Sequence, residues 1–178
     1  MTTPIADALA PSRARLTPAR LIAAVALGGA ATIGGALFIE HVLGVKPCEL
    51  CLVQRIPYYA GVPLAVVAAW AAARRPRHLL TAALIASVAL VFLVAAALGG
   101  YHAGVEWGLW AGPSDCTGPV TKPAAMGDFL KQLQTTKVIR CDEVAMRIFG
   151  LSLAAWNFVI AGGLALVAGY AAWRTRAR

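Results

Sequence analysis

The sequence predicts an all-α membrane protein, a bundle of four transmembrane helices joined by loops. Of its 178 residues, 60% are hydrophobic and 13% are charged, whereas a soluble domain carries about 25% charged residues. The apolar residues are concentrated in four stretches without a charged side chain, at residues 21–39, 56–73, 79–100 and 148–173. A helix needs roughly 20 such residues to cross the hydrocarbon core of a bilayer. Composition and pattern together exclude an ordinary soluble enzyme and a disordered chain.

The first stretch follows Arg13, Arg15 and Arg20, and it could therefore be a cleaved signal peptide. Its apolar run is longer than the roughly 7–15 residues typical of such a peptide. No small-residue cleavage pattern follows it. We therefore expect this stretch to remain in the protein as the first of the four spans.

Charge placement predicts how the spans are oriented. Nine arginines lie before the first stretch, between the second and third, and after the fourth, while seven of the eight acidic residues lie in the other two loops. Because basic residues accumulate on the cytoplasmic side, both termini are predicted to be cytoplasmic and the loops at residues 40–55 and 101–147 extracytoplasmic. The net charge of +8 then fits contact with the lipid bilayer rather than with nucleic acid.

All four cysteines of the chain lie in the two extracytoplasmic loops, Cys48 and Cys51 in the first, Cys116 and Cys141 in the second. Thiols on the oxidising side of a membrane are expected to form disulfides. Three pairings are possible in principle. Proximity in the sequence favours Cys48 with Cys51 and Cys116 with Cys141.

The first pair, Cys48-x-x-Cys51, predicts redox chemistry rather than a structural crosslink. A disulfide across so small a loop removes little entropy from the unfolded chain, but its two sulfurs can exchange with an incoming thiolate. Pro57 is typical of a first helical turn, so Cys51 is predicted just before a helix N-terminus, where the dipole favours a thiolate. Arg55 would then face the same side as Cys51. The alternative is that Arg55 only extends to the lipid headgroups.

The second pair, Cys116 and Cys141, allows two interpretations, a structural bridge or a second redox-active pair. A disulfide between Cys116 and Cys141 would close a loop with 24 residues between its ends and contribute roughly 3 to 4 kcal/mol to stability, which suits a structural bridge.

Within the loop, residues 118–140 place apolar side chains at helical spacing with basic residues nearby. This pattern predicts a short amphipathic helix on the outer leaflet. A local hydrophobic cluster under a long loop explains the same pattern.

Metal and nucleotide cofactors are not expected. A zinc site made of four cysteines is disfavoured, because Cys116 and Cys141 are too far apart to form a second close-spaced pair of ligands. No histidine directly follows Cys51, which excludes covalent haem attachment. The glycines at residues 28–35 lie inside an apolar stretch with no strand before them, so they predict close helix packing rather than a flavin or nicotinamide site.

Residues 47–55 have the sequence PCELCLVQR and are followed by Pro57, Tyr58 and Tyr59. This segment resembles the signature of the disulfide bond formation protein B (DsbB) family. The resemblance extends over residues 21–173 and includes the four spans, the second-loop cysteines and the sequence FGLSL near the last span. It implies a single integral membrane domain over residues 1–178, in the bacterial inner membrane.

The resemblance also implies a thiol:quinone oxidoreductase. A periplasmic thiol oxidant of the DsbA type would attack the second-loop disulfide at Cys116, and Cys141 would leave and later resolve the mixed disulfide. Electrons would then pass to Cys48 and Cys51. Cys51 would hand them to ubiquinone or menaquinone from the membrane pool.

Two further residues take a role from the resemblance. Arg55 matches the family arginine that supports the quinone and the adjacent thiolate. His102 is the candidate for the family histidine after the third span that is linked to quinone binding.

Two alternatives remain open from the sequence. The chain could be a structural membrane protein whose loops are held by two disulfides. It could also belong to the vitamin K epoxide reductase-like family, but there the quinone-side C-x-x-C lies in the last span, whereas Cys48 and Cys51 precede the second. A transporter is disfavoured, because no charged residue lies in the middle of a span.

Overall fold

A computed structural model describes residues 17–75, 77–113 and 140–176, which form helices and one small β-hairpin. Four of the helices are long and apolar enough to cross a membrane, which confirms the predicted four-helix membrane fold. Cys116 and nearly all of the segment predicted as an amphipathic helix lie outside the described residues. The elements, in chain order, are α1 Pro18–His41, α2 Glu49–Val53, α3 Ile56–Arg74, α4 Leu79–Glu106, β1 Arg147–Ile148, β2 Leu151–Ser152 and α5 Leu153–Arg176.

Local sequence signals account for where the first helices begin. Thr17 caps α1, because its side-chain oxygen accepts a hydrogen bond from the backbone N–H of Arg20, and Pro18 occupies the first turn. Pro57 lies in the first turn of α3, as predicted. Between α2 and α3 the chain makes only a short turn at Gln54 and Arg55, so the C-x-x-C segment is continuous with the second long helix.

The core of the bundle consists mainly of small residues packed around Phe92, which is fully buried on α4. A Cβ atom added to Gly29 or Gly61 would lie 3.0–3.2 Å from the Phe92 ring, so glycine lets α1 and α3 approach it closely. The predicted role of the first glycine cluster is therefore correct for Gly29. It is wrong for Gly34 and Gly35, where an added Cβ would meet nothing within 4 Å.

The third long helix continues past the predicted end at residue 100 and reaches Glu106. Nothing in residues 101–106 breaks a helix, and the left-handed residue that ends it is Gly108, with φ of +72°. His102 therefore lies on α4 and not in the loop after the span. The helix backbone therefore sets the position of its side chain, which lies against Cys48.

The last long helix begins at Leu153 and not at residue 148 as predicted. Arg147 pairs with Ser152 across an antiparallel hairpin whose turn residues, Phe149 and Gly150, have φ of +50° and +83°. Positive φ at both turn positions suits a two-residue hairpin and is incompatible with a helix. Ser152 then caps α5, because its hydroxyl accepts the backbone N–H of Ala155.

The outer surfaces of the long helices are apolar. Leu27, Leu90 and Leu166 are 72%, 61% and 77% exposed. Large exposed apolar side chains on all sides of a helical bundle are costly in water but suit contact with lipid. The molecule is a multi-pass membrane protein.

Candidate active site

Two of the predicted redox residues, Cys48 and Cys51, are in direct contact. Cys48 is the N-cap of α2, and its sulfur accepts a hydrogen bond from the backbone N–H of Cys51. The two Sγ atoms lie 2.9 Å apart. Cys51 lies inside α2, one short turn before the second long helix begins at Ile56, close to the predicted place just before that helix. The helical turn brings the sulfurs together, as disulfide chemistry between them requires.

The environments of the two sulfurs differ. Cys48 is buried, whereas Cys51 is partly exposed. The hydrogen bond to Cys51, followed by burial, raises the pKa of Cys48 to about 12. Cys48 therefore keeps its proton in the reduced pair and donates it to the sulfur of Cys51.

Cys141 reaches the same pair from the second loop. It is 1% exposed and shares a small buried cluster with Cys48 and Val105, against which Leu50 and Cys51 pack. The structure thus brings together three of the four cysteines. Because Cys116 lies outside the described residues, its pairing with Cys141 stays a prediction.

His102 lies on α4 directly against the cysteine pair. Its Nε2 atom is 3.7 Å from the sulfur of Cys48 and 4.0 Å from Oε1 of Glu106. Its other ring nitrogen, Nδ1, is 2.6 Å from the side-chain amide nitrogen of Gln54. The imidazole is 2% exposed, so its partners are these protein groups rather than bulk water.

Three polar side chains that sequence analysis left without a role extend this cluster into the bundle. Tyr58 donates to Asn157, Asn157 donates to Gln54, and each donor–acceptor distance is 2.6 Å. Gln54 was part of the family signature, but its partners could not be read from it. Asn157 had one signal that could have revealed it, since an amide side chain within an apolar stretch is costly unless it is hydrogen-bonded.

Arg55, predicted to support a thiolate and a quinone, forms an ion pair with Glu40 at the end of α1. The two side chains are 12% and 24% exposed, so the guanidinium is mostly removed from solvent. Glu40 was not predicted as the partner of Arg55. The pair ties the ends of α1 and α3 together beside the cysteines.

A cavity of about 380 Å³ opens next to Cys51. Its volume lies in the range of small-ligand sites, which are typically apolar with a few placed polar groups. Polar side chains line one edge: Cys51, Gln54, Arg55, His102 and Asn157. Apolar side chains form much of the remaining wall: Ile33, Ile39, Ile148, Phe149, Trp156 and Ile160. The cavity suits a flat apolar ligand that carries hydrogen-bond acceptors.

Cys48, Cys51 and His102 also form a group whose ligand atoms lie within 4.8 Å of one another, as a metal site would require. Two sulfurs on one tetrahedral zinc ion would be about 3.8 Å apart, given Zn–S bonds of about 2.3 Å. The sulfurs of Cys48 and Cys51 are 2.9 Å apart. This shorter contact suits sulfur–sulfur exchange better than zinc ligation.

Comparison with known proteins adds an independent finding. A family model described as "Disulfide bond formation protein DsbB" matches residues 18–171. The chain is 32% identical over 163 residues to "Disulfide bond formation protein B" of Polaromonas sp. (strain JS666 / ATCC BAA-500), covering 84% of this chain and 88% of that relative. It is 34% identical over 153 residues to "Disulfide bond formation protein B 1" of Pseudomonas aeruginosa (strain PAO1), covering 80% and 87%. No solved structure matches the chain.

Proposed function

The chain belongs to the DsbB family of disulfide bond formation proteins, and we propose that it is a thiol:quinone oxidoreductase of the bacterial inner membrane. Family membership and the four spans establish a membrane protein of disulfide bond formation. The finer proposal is that it reoxidises a periplasmic dithiol oxidant of the DsbA type and passes two electrons to ubiquinone or menaquinone. Both termini would lie in the cytoplasm.

One observation carries this proposal: Cys51 packs against the buried cluster that holds Cys48 and Cys141, and it also lines the apolar cavity. Cys141 belongs to the loop that would receive electrons from the partner. Cys51 lines the cavity that would hold the final acceptor. The arrangement therefore offers an entry and an exit for electrons at the same pair of sulfurs.

The exchange within the chain can be written with bonds and electrons balanced. The thiolate of Cys141 attacks the sulfur of Cys48, a disulfide forms between these two, and Cys51 leaves with the electron pair as a thiolate. We place the attack at Cys48 because it shares the buried cluster with Cys141. Cys51 is then released on the cavity side, where its charge is required. Over a full turnover, two partner thiols become one disulfide, and two electrons and two protons leave with the acceptor.

The residues around the cavity fit a quinone. The ring and tail need apolar walls, which Ile39, Ile148 and Trp156 supply. The ring oxygens need a donor at the polar edge, where the guanidinium of Arg55 lies. His102 lines the same edge, with its two ring nitrogens facing Gln54 and Cys48. A quinone bound there supplies a two-electron acceptor at the end of the relay. The guanidinium of Arg55 would stabilise the anionic sulfur of Cys51 nearby, while Glu40 holds that guanidinium in place.

The alternatives explain less of the site. Two structural disulfides would need neither a cavity beside Cys51 nor a buried histidine against Cys48. The vitamin K epoxide reductase-like alternative would place the quinone-side pair in the last span, whereas Cys48 and Cys51 lie on α2 before the second long helix.

A turnover assay tests the proposal. Purified protein is mixed with a reduced DsbA-type partner and a soluble quinone, and the quinone absorbance is followed. We expect it to fall as the partner is oxidised, one quinone for each partner disulfide, and Cys51→Ser to abolish the change while thermal unfolding is unaltered. If the disulfide were only structural, the opposite result is expected: Cys51→Ser would be less stable, and any oxidation of the partner would continue. Unchanged turnover in Cys51→Ser would refute the assignment.

A further inference from the structure

We propose that a chain of buried hydrogen bonds, from Tyr58 through Asn157 and Gln54, fixes the protonation state of His102. The neutral ring would carry its hydrogen on Nε2, so that an N–H donor faces Cys48. His102 would then act as a hydrogen-bond donor to the redox sulfur and not as the base that takes its proton. The assignment of the tautomer stands on geometry alone, while its consequence for electron transfer rests on the proposed function.

The three links of the chain connect three helices and the turn before one of them. Tyr58 on α3 donates to Oδ1 of Asn157 on α5, and Nδ2 of Asn157 donates to Oε1 of Gln54. Nε2 of Gln54 then lies 2.6 Å from Nδ1 of His102 on α4. A primary amide offers an acceptor at one end and donors at the other. The direction of the first bond therefore fixes the direction of every later one.

The tyrosine sets that direction. Tyr58 is 2% exposed, and within the part of the chain that the structure describes its hydroxyl makes no other hydrogen bond. If the chain ran in reverse, the hydroxyl would accept from Asn157 and its own proton would be buried without a partner. A buried donor without an acceptor lowers stability by about 1 to 3 kcal/mol. The proton of Tyr58 therefore points to Asn157.

At the other end, the donor from Gln54 occupies the lone pair of Nδ1, so a neutral His102 must hold its hydrogen on Nε2. The surroundings of the ring fit a donor there. Nε2 faces the sulfur of Cys48 and the carboxylate of Glu106. The Glu106 side chain is 5% exposed, and its second oxygen has no partner among the described residues. A carboxylate in that state needs a nearby donor.

This arrangement has a consequence for disulfide exchange. When the thiolate of Cys116 attacks Cys141 in the disulfide between Cys48 and Cys141, a bond between Cys116 and Cys141 forms, and the electron pair of the broken bond passes to Cys48. The Nε2–H of His102 then stabilises the sulfur anion of Cys48 as it leaves. Once Cys48 is again part of a disulfide, the carboxylate of Glu106, 4.0 Å away, still faces the same N–H. Tyr58, Asn157 and Gln54 are positioning residues for this donor.

Nitrogen NMR of protein labelled with ¹⁵N-histidine tests the tautomer directly, because the chain has only three histidines. The other two, His41 and His78, are assigned by substitution with glutamine. In the oxidised protein, without partner or quinone, we expect His102 to show a protonated Nε2 and an unprotonated Nδ1.

Two variants should reverse this pattern. In Gln54→Glu, the carboxylate accepts from the ring, so Nδ1 becomes protonated. In Asn157→Asp, measured at pH 8, the new carboxylate turns the amide of Gln54 around, so its oxygen faces His102 and Nδ1 is again protonated. Residue 157 makes no hydrogen bond to His102, and a merely structural role would leave the ring unchanged. Tyr58→Phe should give a mixture of tautomers, whereas the neighbouring control Tyr59→Phe should match the unmodified protein.

An Nδ1–H tautomer in the unmodified protein would overturn the inference, as would an unchanged ring in folded Asn157→Asp. If Gln54→Glu does not fold, Asn157→Asp and Tyr58→Phe still decide the outcome. In turnover, Asn157→Asp should slow exchange between Cys141 and Cys48 by roughly tenfold or more, the usual worth of a hydrogen bond to a charged group. Since the NMR result needs no quinone, failure of the proposed function and failure of this inference are separable.

Discussion

The middle of the bundle and its cysteine-bearing end differ in the kind of side chains that they bury. In the middle, alanines and glycines pack against Phe92, and the contacts are apolar. At the cysteine-bearing end, the same helices carry a hydrogen-bond chain, an ion pair and a buried carboxylate that faces His102. Burying polar groups near a bilayer is costly. Their concentration at one end therefore marks where the molecule performs chemistry, while the middle supplies rigidity.

The largest expected effect belongs to the middle. Phe92→Ala removes a fully buried ring at the contact of three helices, and we expect it to lower the free energy of unfolding by about 3 to 5 kcal/mol. Molecules that remain folded should still react at Cys51. Thermal unfolding in detergent measures the loss, and Phe158→Ala, at a half-exposed position, is the control. Equal stability of the two variants would mean that the core is not centred on Phe92.

The next effect concerns the two sulfurs and their protons. Because the pKa of Cys48 is raised to about 12, this thiol stays protonated from pH 7 to about 10. The thiolate is the species that reacts, so alkylation of the reduced protein should label Cys51 at least about 100-fold faster than Cys48. The preference should fade as pH approaches 12. Mass spectrometry of iodoacetamide-treated protein gives the ratio. Faster labelling of Cys48 at pH 8 would contradict the raised pKa of this thiol.

A smaller effect is expected from the ion pair at the same end. Glu40→Gln leaves the mostly buried guanidinium of Arg55 without its counter-charge, and we expect a loss of about 1 to 2 kcal/mol of stability, since both side chains retain some contact with solvent. Turnover should fall as well, because Arg55 is no longer held beside the cavity. Glu49→Gln, at an exposed position on α2, is the matched control. Identical unfolding curves for the two variants would show that the pair is not structural.

The smallest effect is expected in the second loop. Hydrogen bonds from Arg140 lower the pKa of Asp142, and both side chains are well exposed to solvent. An exposed pair of this kind adds little to stability. Asp142→Asn should leave both the unfolding curve and turnover within error of the unmodified protein, although it neighbours Cys141. A marked loss of turnover would show that this pair helps to place Cys141.

The parts of the fold that depend on local pattern could be predicted from the sequence. The four spans follow from continuous apolar stretches, and the cysteine pair follows from its spacing and its signature. The start of α5 was misplaced, because apolar composition does not distinguish a helix from the hairpin turn at Phe149 and Gly150. The end of α4 was placed too early, because nothing in residues 101–106 breaks the helix.

The polar chain of the site could not be predicted. Gln54, His102 and Asn157 are far apart in the sequence, and only the packing of three helices brings their side chains together. The pairing of Glu40 with Arg55 depends in the same way on the approach of α1 and α3. Spacing rules describe neighbours along one helix and carry no information about such contacts.

The most direct test of the account blocks the cavity while leaving the sulfurs in place. Ala36→Trp would fill the space beside Cys51, whereas Ala30→Trp, on the same helix at an exposed position, would not. Anaerobic mixing with reduced partner and quinone should give continuous quinone reduction in the unmodified protein and in Ala30→Trp. Ala36→Trp should instead oxidise the partner in a single burst and leave the quinone absorbance constant. Continuous quinone reduction by Ala36→Trp at the unmodified rate would contradict the claim that electrons leave Cys51 through this cavity.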